Sequence, residues 1–135
     1  MNVFLVIEPE YAFAILKGTK QYEFRKMGFR RDIEKVVVYA TSPYKRIVGY
    51  FKVGQIHQGS PQILWDRFNA HARIDRKDFS SYFNNKASGI AIEVKRPVSF
   101  RRHRKPREIF PSFTIPWSFR YISEDEFKLI KKAST

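Results

Sequence analysis

The chain has no cysteine. That excludes a disulfide framework and any thiolate-ligated metal site, and it suits a reducing compartment, so the expected location is the cytoplasm. Histidine is nearly as scarce. His57, His71 and His103 show no metal-ligand spacing, and neither a metal nor any other cofactor is expected. No run approaches the roughly 20 apolar residues that a membrane helix needs. The apolar opening MNVFLVI is short, has no basic flank and meets Glu8-Pro9 at once, which marks a first strand rather than a signal peptide. No membrane partner is expected. Carboxylates are few as well: 13 acidic residues stand against 26 Lys and Arg, leaving a net charge of +13.

What is present is the material of one folded domain spanning residues 1–135. Hydrophobic residues make up 43% of the 135, and 13 are Phe, enough apolar surface to offset the entropy of an ordered chain. The basic surplus favours a polyanionic partner through its summed field and counterion release. RNA and DNA both fit that description, and composition says nothing about oligomeric state.

The local pattern alternates strands and short helices. Residues 2–7 form an apolar run. Pro9 suits a first helical position and Gly18 the residue just past a helix end, with Ala12, Ile15 and Leu16 as the apolar stripe between them. Phe13 falls off that stripe. Strands are expected at 22–25, 35–40, 46–56, 89–95 and 117–122, with bends at Gly49 and Gly54. Ser60-Pro61 opens a second helix, Asp75 caps a third that ends before Asn84, and Ser123 with Glu126 forms a capping box for a last one. Pro106, Pro111 and Pro116 make 101–116 an irregular segment. Strands that are not regularly separated by helices disfavour a doubly wound parallel sheet. The expected class is α+β: a small, mostly antiparallel β-barrel decorated by short helices, one after the first strand and one at the C-terminus.

The stretch GTKQYEFRK, 18–26, carries the chemistry. On a strand, Glu23 and Arg25 share one face, and Tyr22 and Phe24 the other, where the aromatic pair is expected to fill the barrel. Lys20 lies in the turn before them. These three charges either pair across the barrel mouth, worth only about 0–1 kcal/mol if exposed, or line a pocket. In the second case Glu23 accepts from an exocyclic amine while Arg25 or Lys20 holds a phosphate.

The spacing Gly18-x-Lys20-x-x-Glu23-x-Arg25 resembles the GxKxxExR motif of the ASCH family, a branch of the PUA-like superfamily. Its strand–helix setting, YATSP at 39–43 and SFRYI at 118–122 are also similar to that family, and the likeness runs from about Asn2 to Ile122. The resemblance implies a small β-barrel with a cleft between barrel and first helix, lined by the motif, in a domain that binds RNA or a modified nucleotide. Some relatives are enzymes, including a modified-cytidine amidohydrolase and a single-strand ribonuclease. In that amidohydrolase a lysine, a threonine three positions later and a more distant glutamate carry the chemistry. Here the lysine matches Lys20, Glu23 replaces the threonine, and AHARID (70–75) has no carboxylate at Ala72 or Arg73.

Ligand contacts are therefore expected at Lys20, Glu23, Arg25, Thr41 and Ser42, with Lys20 and Glu23 central if the protein is an enzyme. Backbone phosphates are expected on Lys26, Arg30 and Arg31 and on the tract Arg101, Arg102, Arg104, Lys105 and Arg107. Basic residues interleaved with aromatics suit a groove that tracks a single strand. Phe100, Phe110, Phe113, Trp65 and Trp117 are expected mostly in the core.

Overall fold

A computed structural model describes residues 1–135. In chain order the elements are β1 (Asn2–Ile7), α1 (Pro9–Lys17), β2 (Tyr22–Arg25), β3 (Lys35–Ala40), β4 (Arg46–Gly59), α2 (Pro61–Phe68), α3 (Arg76–Phe83), β5 (Gly89–Arg104), α4 (Pro106–Ile109), β6 (Phe119–Ile122) and α5 (Glu124–Ser134). The strands form one curled six-stranded sheet in the order β2-β5-β4-β3-β1-β6. Only β1 and β3 pair in parallel. The α+β class holds, and the expected barrel is a half-barrel whose edges are β2 and β6.

Why β1 and β3 are continuous apolar runs is plain from the packing, because both of their faces are buried. Val3, Leu5, Val36 and Val38 pack with Ala12 and Ile15 of α1 on one face. Phe4 and Val37 pack with Phe127 and Ile130 of α5 on the other. The caps read from sequence are in place. Ser60 and Asp75 accept from the backbone N–H groups of Ile63 and Asp78, and Ser123 and Glu126 cap one another reciprocally at 3.0 and 2.9 Å. Bulges kink β4 around Gly49 and Gly54, and a Cβ at Gly49 would collide with the Val98 carbonyl and Leu16.

Three expectations need correction. The segment 101–104 is strand, not irregular chain, because β5 survives Pro97. Residues 96 and 97 together face the single Phe51 between the pairs Lys52–Lys95 and Tyr50–Val98, a bulge in which Arg96 takes φ +47°. Trp117 is not core; it is wholly exposed, whereas Phe100 and Phe113 are buried. Tyr22 and Phe24 do not fill the half-barrel. Their face of β2 is covered by α2 and α3, where Phe24 meets Phe79 and Phe83 and Tyr22 meets Phe68. Glu23 and Arg25 pair across with Ile92 and Ile90, which belong to the half-barrel core, so the charged pair faces inward.

Candidate functional site

The site begins at the end of α1. Gly18 takes φ +83°, a left-handed turn that glycine adopts without a Cβ penalty, and its N–H bonds back to Ile15. The Thr19 and Lys20 N–H groups both reach the Ala14 carbonyl at 3.1 Å. This tight exit turns Lys20 inward, to 1% exposure. The Lys20 Nζ donates to the Ala72 carbonyl at 2.5 Å and lies 5.0 Å from the Tyr11 ring centre. Burial pushes the Lys20 ammonium below its ordinary pKa, and the nearby Glu23 carboxylate opposes that shift. In the stretch where the resemblance implies a glutamate near Ala72 or Arg73, the lysine meets the Ala72 backbone carbonyl instead.

Glu23 is 6% exposed. Its Oε1 lies 3.7 Å from Lys20 Nζ, and its Oε2 accepts from Arg25 Nη1 at 3.0 Å. Arg25 also donates to the Val6 carbonyl at 3.2 Å and, through Nη2, to Ser118 Oγ at 2.8 Å. Its guanidinium thus spans from the β2 edge to β1 and the chain entering β6. The three charges converge as expected, but the pairing is buried, so the small value of an exposed ion pair does not describe it.

Beside this group opens a cleft of about 560 Å³, walled by Tyr11 of α1, Thr41 after β3, Asp78 and Tyr82 of α3, and Trp117. Lys20, Glu23 and Arg25 all contribute to its lining, and Ser42 does not. Tyr11 donates its hydroxyl to Asp78 Oδ2 at 3.4 Å, tying α1 to α3. Burial first, then the Asp78, Glu10 and Glu8 charges, push the Tyr11 phenol up to about 12. The Tyr82 phenol is raised by burial, and its oxygen accepts from the Lys26 N–H at 3.1 Å. Tyr11, Asp78, Tyr82 and Trp117 were not singled out from sequence as cleft residues. Phe13, which falls off the apolar stripe of α1, packs edge-on to Tyr44 and does not line the cleft, whereas Tyr11, one turn before Ile15, carried no separate signal. Asp78, on a helix 53 to 58 residues beyond the motif, had none.

The basic residues divide into two groups. Lys26 Nζ sits 4.8 Å from the Tyr82 ring centre, at the cleft edge, and Arg31 stacks on Tyr121 at 5.6 Å. Arg30 is exposed and bonds Tyr121 through its backbone N–H. In the other tract Arg101, Arg102 and Lys105 are exposed. Arg104 and Arg107 are engaged structurally, donating to the Ala133 and Phe113 carbonyls. The turn after β3 joins tract and cleft. Thr41 lines the cleft, and three residues on the Tyr44 hydroxyl lies 2.5 Å from His103 Nδ1, with Phe13 edge-on to Tyr44. No three carboxylates or histidines stand close enough to hold one metal ion.

A curled half-barrel with a helix-flanked cleft at the GxKxxExR turn defines a PUA-like module. Residues 5–98 match the ASCH domain model, and the chain belongs to the ASCH family. It is therefore an RNA-binding type of domain. The chain is 28% identical over 121 residues to the ASCH domain-containing ribonuclease of Zymomonas mobilis, covering 87% of this chain and 82% of that one. The crystal structure of ASCH from Zymomonas mobilis superposes with a TM-score of 0.91 at 24% identity, covering 99% and 96% of the two chains. The N-terminal domain of Staphylothermus marinus McrB shares the fold more distantly, with a TM-score of 0.63 at 10% identity over 97% of this chain and 93% of that one.

Proposed function

We propose that this domain, in the cytoplasm, seats one base of an RNA strand in the cleft beside α1, the base being ordinary or modified. The observation that carries the reading is the pairing of a fully exposed Trp117 with a cleft floored by a fixed, buried Glu23. An exposed indole gains little from folding, whereas stacking a base on it contributes about 1–3 kcal/mol. Glu23 is held by two cations, so its carboxylate is oriented before a ligand arrives, and Thr41 adds a hydroxyl. Lys20 and Arg25 are committed to Glu23 and to carbonyls, which makes them supports rather than phosphate ligands. The phosphates fall to Lys26 at the cleft edge, to Arg30 and Arg31 against Tyr121, and to Arg101, Arg102 and Lys105, which position the strand without reading its sequence.

The test is a titration with single-stranded RNA followed by tryptophan fluorescence in a Trp65→Phe background, leaving Trp117 as the only indole. Stacking quenches Trp117, and Trp117→Ala lowers affinity about tenfold. Binding with unchanged fluorescence and unchanged affinity in Trp117→Ala overturns the reading.

A second reading is favoured by Lys20 and by the relative named a ribonuclease. A buried lysine whose pKa is lowered holds more of the neutral amine that general-base chemistry requires. Incubation with labelled RNA and with acylated nucleosides, using wild type and Lys20→Met, decides it. Turnover that disappears with Lys20→Met while the variant stays folded supports an enzyme. Binding without turnover retires that reading.

A further inference from the structure

We infer that the cleft selects a nucleobase that is cationic at neutral pH, an N-alkylated base, over its neutral parent. The inference rests on the reading that the cleft holds a base and adds the charge of that base.

The chain carries +13, yet this one cavity is lined by Glu8, Glu10, Glu23 and Asp78 against only Lys20 and Arg25. Both cations contact Glu23 and donate to main-chain carbonyls, and only the buried Nε–H of Arg25 is left without a partner. Glu8, Glu10 and Asp78 have no cation paired to them. The N-terminal ends of α1 and α3 each supply about half a positive charge, less than the carboxylates standing on and beside their first turns. Although at Tyr82 the Arg25 charge outweighs that of Glu23, the lining thus carries more negative than positive charge on a positive molecule. Tyr11, between the two helices, registers it: after burial, the three causes that raise its phenol are Asp78, Glu10 and Glu8.

A phosphate entering this space would meet three unpaired carboxylates and no free cation, so the nucleotide must present its base and leave its phosphates outside. The acidic groups stand too far apart to chelate a metal. The walls that remain are aromatic: Tyr11, Tyr82 and the exposed face of Trp117. Aromatic faces combined with carboxylates suit a flat cation, because its charge is spread over a ring that sheds water readily and is drawn to the ring quadrupoles. An alkylated base is such a group; a neutral base stacks equally well but gains nothing from the field.

The experiment is calorimetric titration of the full chain, near neutral pH, with phosphate-free 1-methyladenosine and 3-methylcytidine against adenosine and cytidine. The expected result is about tenfold tighter binding of each methylated nucleoside than of its parent, and a smaller ratio in Asp78→Asn. Parents that bind as tightly as the methylated forms overturn the charge selection and leave the base-binding reading standing. A protein that binds RNA but none of the four nucleosides overturns both. Far-UV circular dichroism of Asp78→Asn guards against misfolding, and Glu10→Gln provides a second variant from a separate helix.

Discussion

Glu23 is shared between two cations: Oε2 lies 3.0 Å from Arg25 Nη1 and Oε1 lies 3.7 Å from Lys20 Nζ, all three side chains buried or nearly so. Inside a protein such a network contributes little over apolar packing, but removing one member strands the others. Glu23→Gln leaves Lys20 with a carbonyl and no counter-charge, and stability should fall by about 3–5 kcal/mol in urea unfolding. Lys20→Met keeps the hydrocarbon stem and leaves Glu23 with Arg25, so it should cost less. The double variant should lose less than the sum of the two, since the stranded ammonium is gone. Additive losses would mean the two groups do not sense each other.

Tyr11 gives a pH signal of known sign. Its phenol titrates near 12 in the folded protein against an ordinary 10.0. Between those values the unfolded chain gives up this proton while the folded one keeps it, so the Tyr11 contribution is intact below the unfolded value and lost as pH rises through the folded one. Wild type should therefore lose stability relative to Tyr11→Phe across that window. The tyrosinate absorbance titration of Tyr11→Phe should lack a late-titrating phenol, and Asp78→Asn should bring that phenol down.

Lys20 runs the other way. Its folded pKa lies below 10.5, so the unfolded chain holds the proton more tightly. The burden of the buried ammonium is fully present below the folded value and lifts as pH rises from there toward 10.5. Stability of wild type measured against Lys20→Met should climb through that interval, and a flat difference would mean that the ammonium is not desolvated.

The half-barrel was legible because its signals are local. Pro9 and Gly18 bracket α1, Ser123 and Glu126 cap α5, and the unbroken apolar runs of β1 and β3 announce strands buried on both faces. The convergence of Lys20, Glu23 and Arg25 was legible too, since three residues in one turn and strand have few places to point. What escaped was set by distant pairing. Nothing near Tyr22 and Phe24 tells which face of β2 the half-barrel takes; α2 and α3, some 40 to 60 residues later, claim the aromatic face. Pro97 would end most strands, and only the partner strand β4 makes its bulge possible. Trp117 carries every compositional mark of a core residue, and its exposure follows from Ser118 being drawn to Arg25 while Val6 N–H takes the Ser118 carbonyl.

Salt dependence separates the two basic groups. Each neutralised phosphate on a single strand lowers the slope of log affinity against log salt by about 0.7. Lys26→Ala, Arg30→Ala and Arg31→Ala should each flatten the slope by about that amount, as should Arg101→Ala and Arg102→Ala. Arg104→Ala and Arg107→Ala should instead leave the slope near wild type and reduce stability, because their guanidinium groups hold the Ala133 and Phe113 carbonyls. A slope change at Arg104 equal to that at Arg101 would place both on the strand.

Arg25 joins the two edges of an open sheet, and its shape is what permits this. One Nη1 meets Glu23 and the Val6 carbonyl, and Nη2 meets Ser118 Oγ, so three separate parts of the chain are held by one planar fork. An ammonium carries three donors on a single atom and cannot span those positions at once, so Arg25→Lys should cost about 2–3 kcal/mol despite keeping the charge. Ser118→Ala removes one neutral partner of a charged donor and should cost about 1–2 kcal/mol. Hydrogen exchange localises the effect: the Val6 amide, bonded to the Ser118 carbonyl at 2.9 Å, should exchange faster in both variants while the Val36 and Val38 amides at the sheet centre follow only global unfolding. If Val6 keeps wild-type protection in Arg25→Lys, the two edges are held by strand pairing alone and the guanidinium is not their clasp.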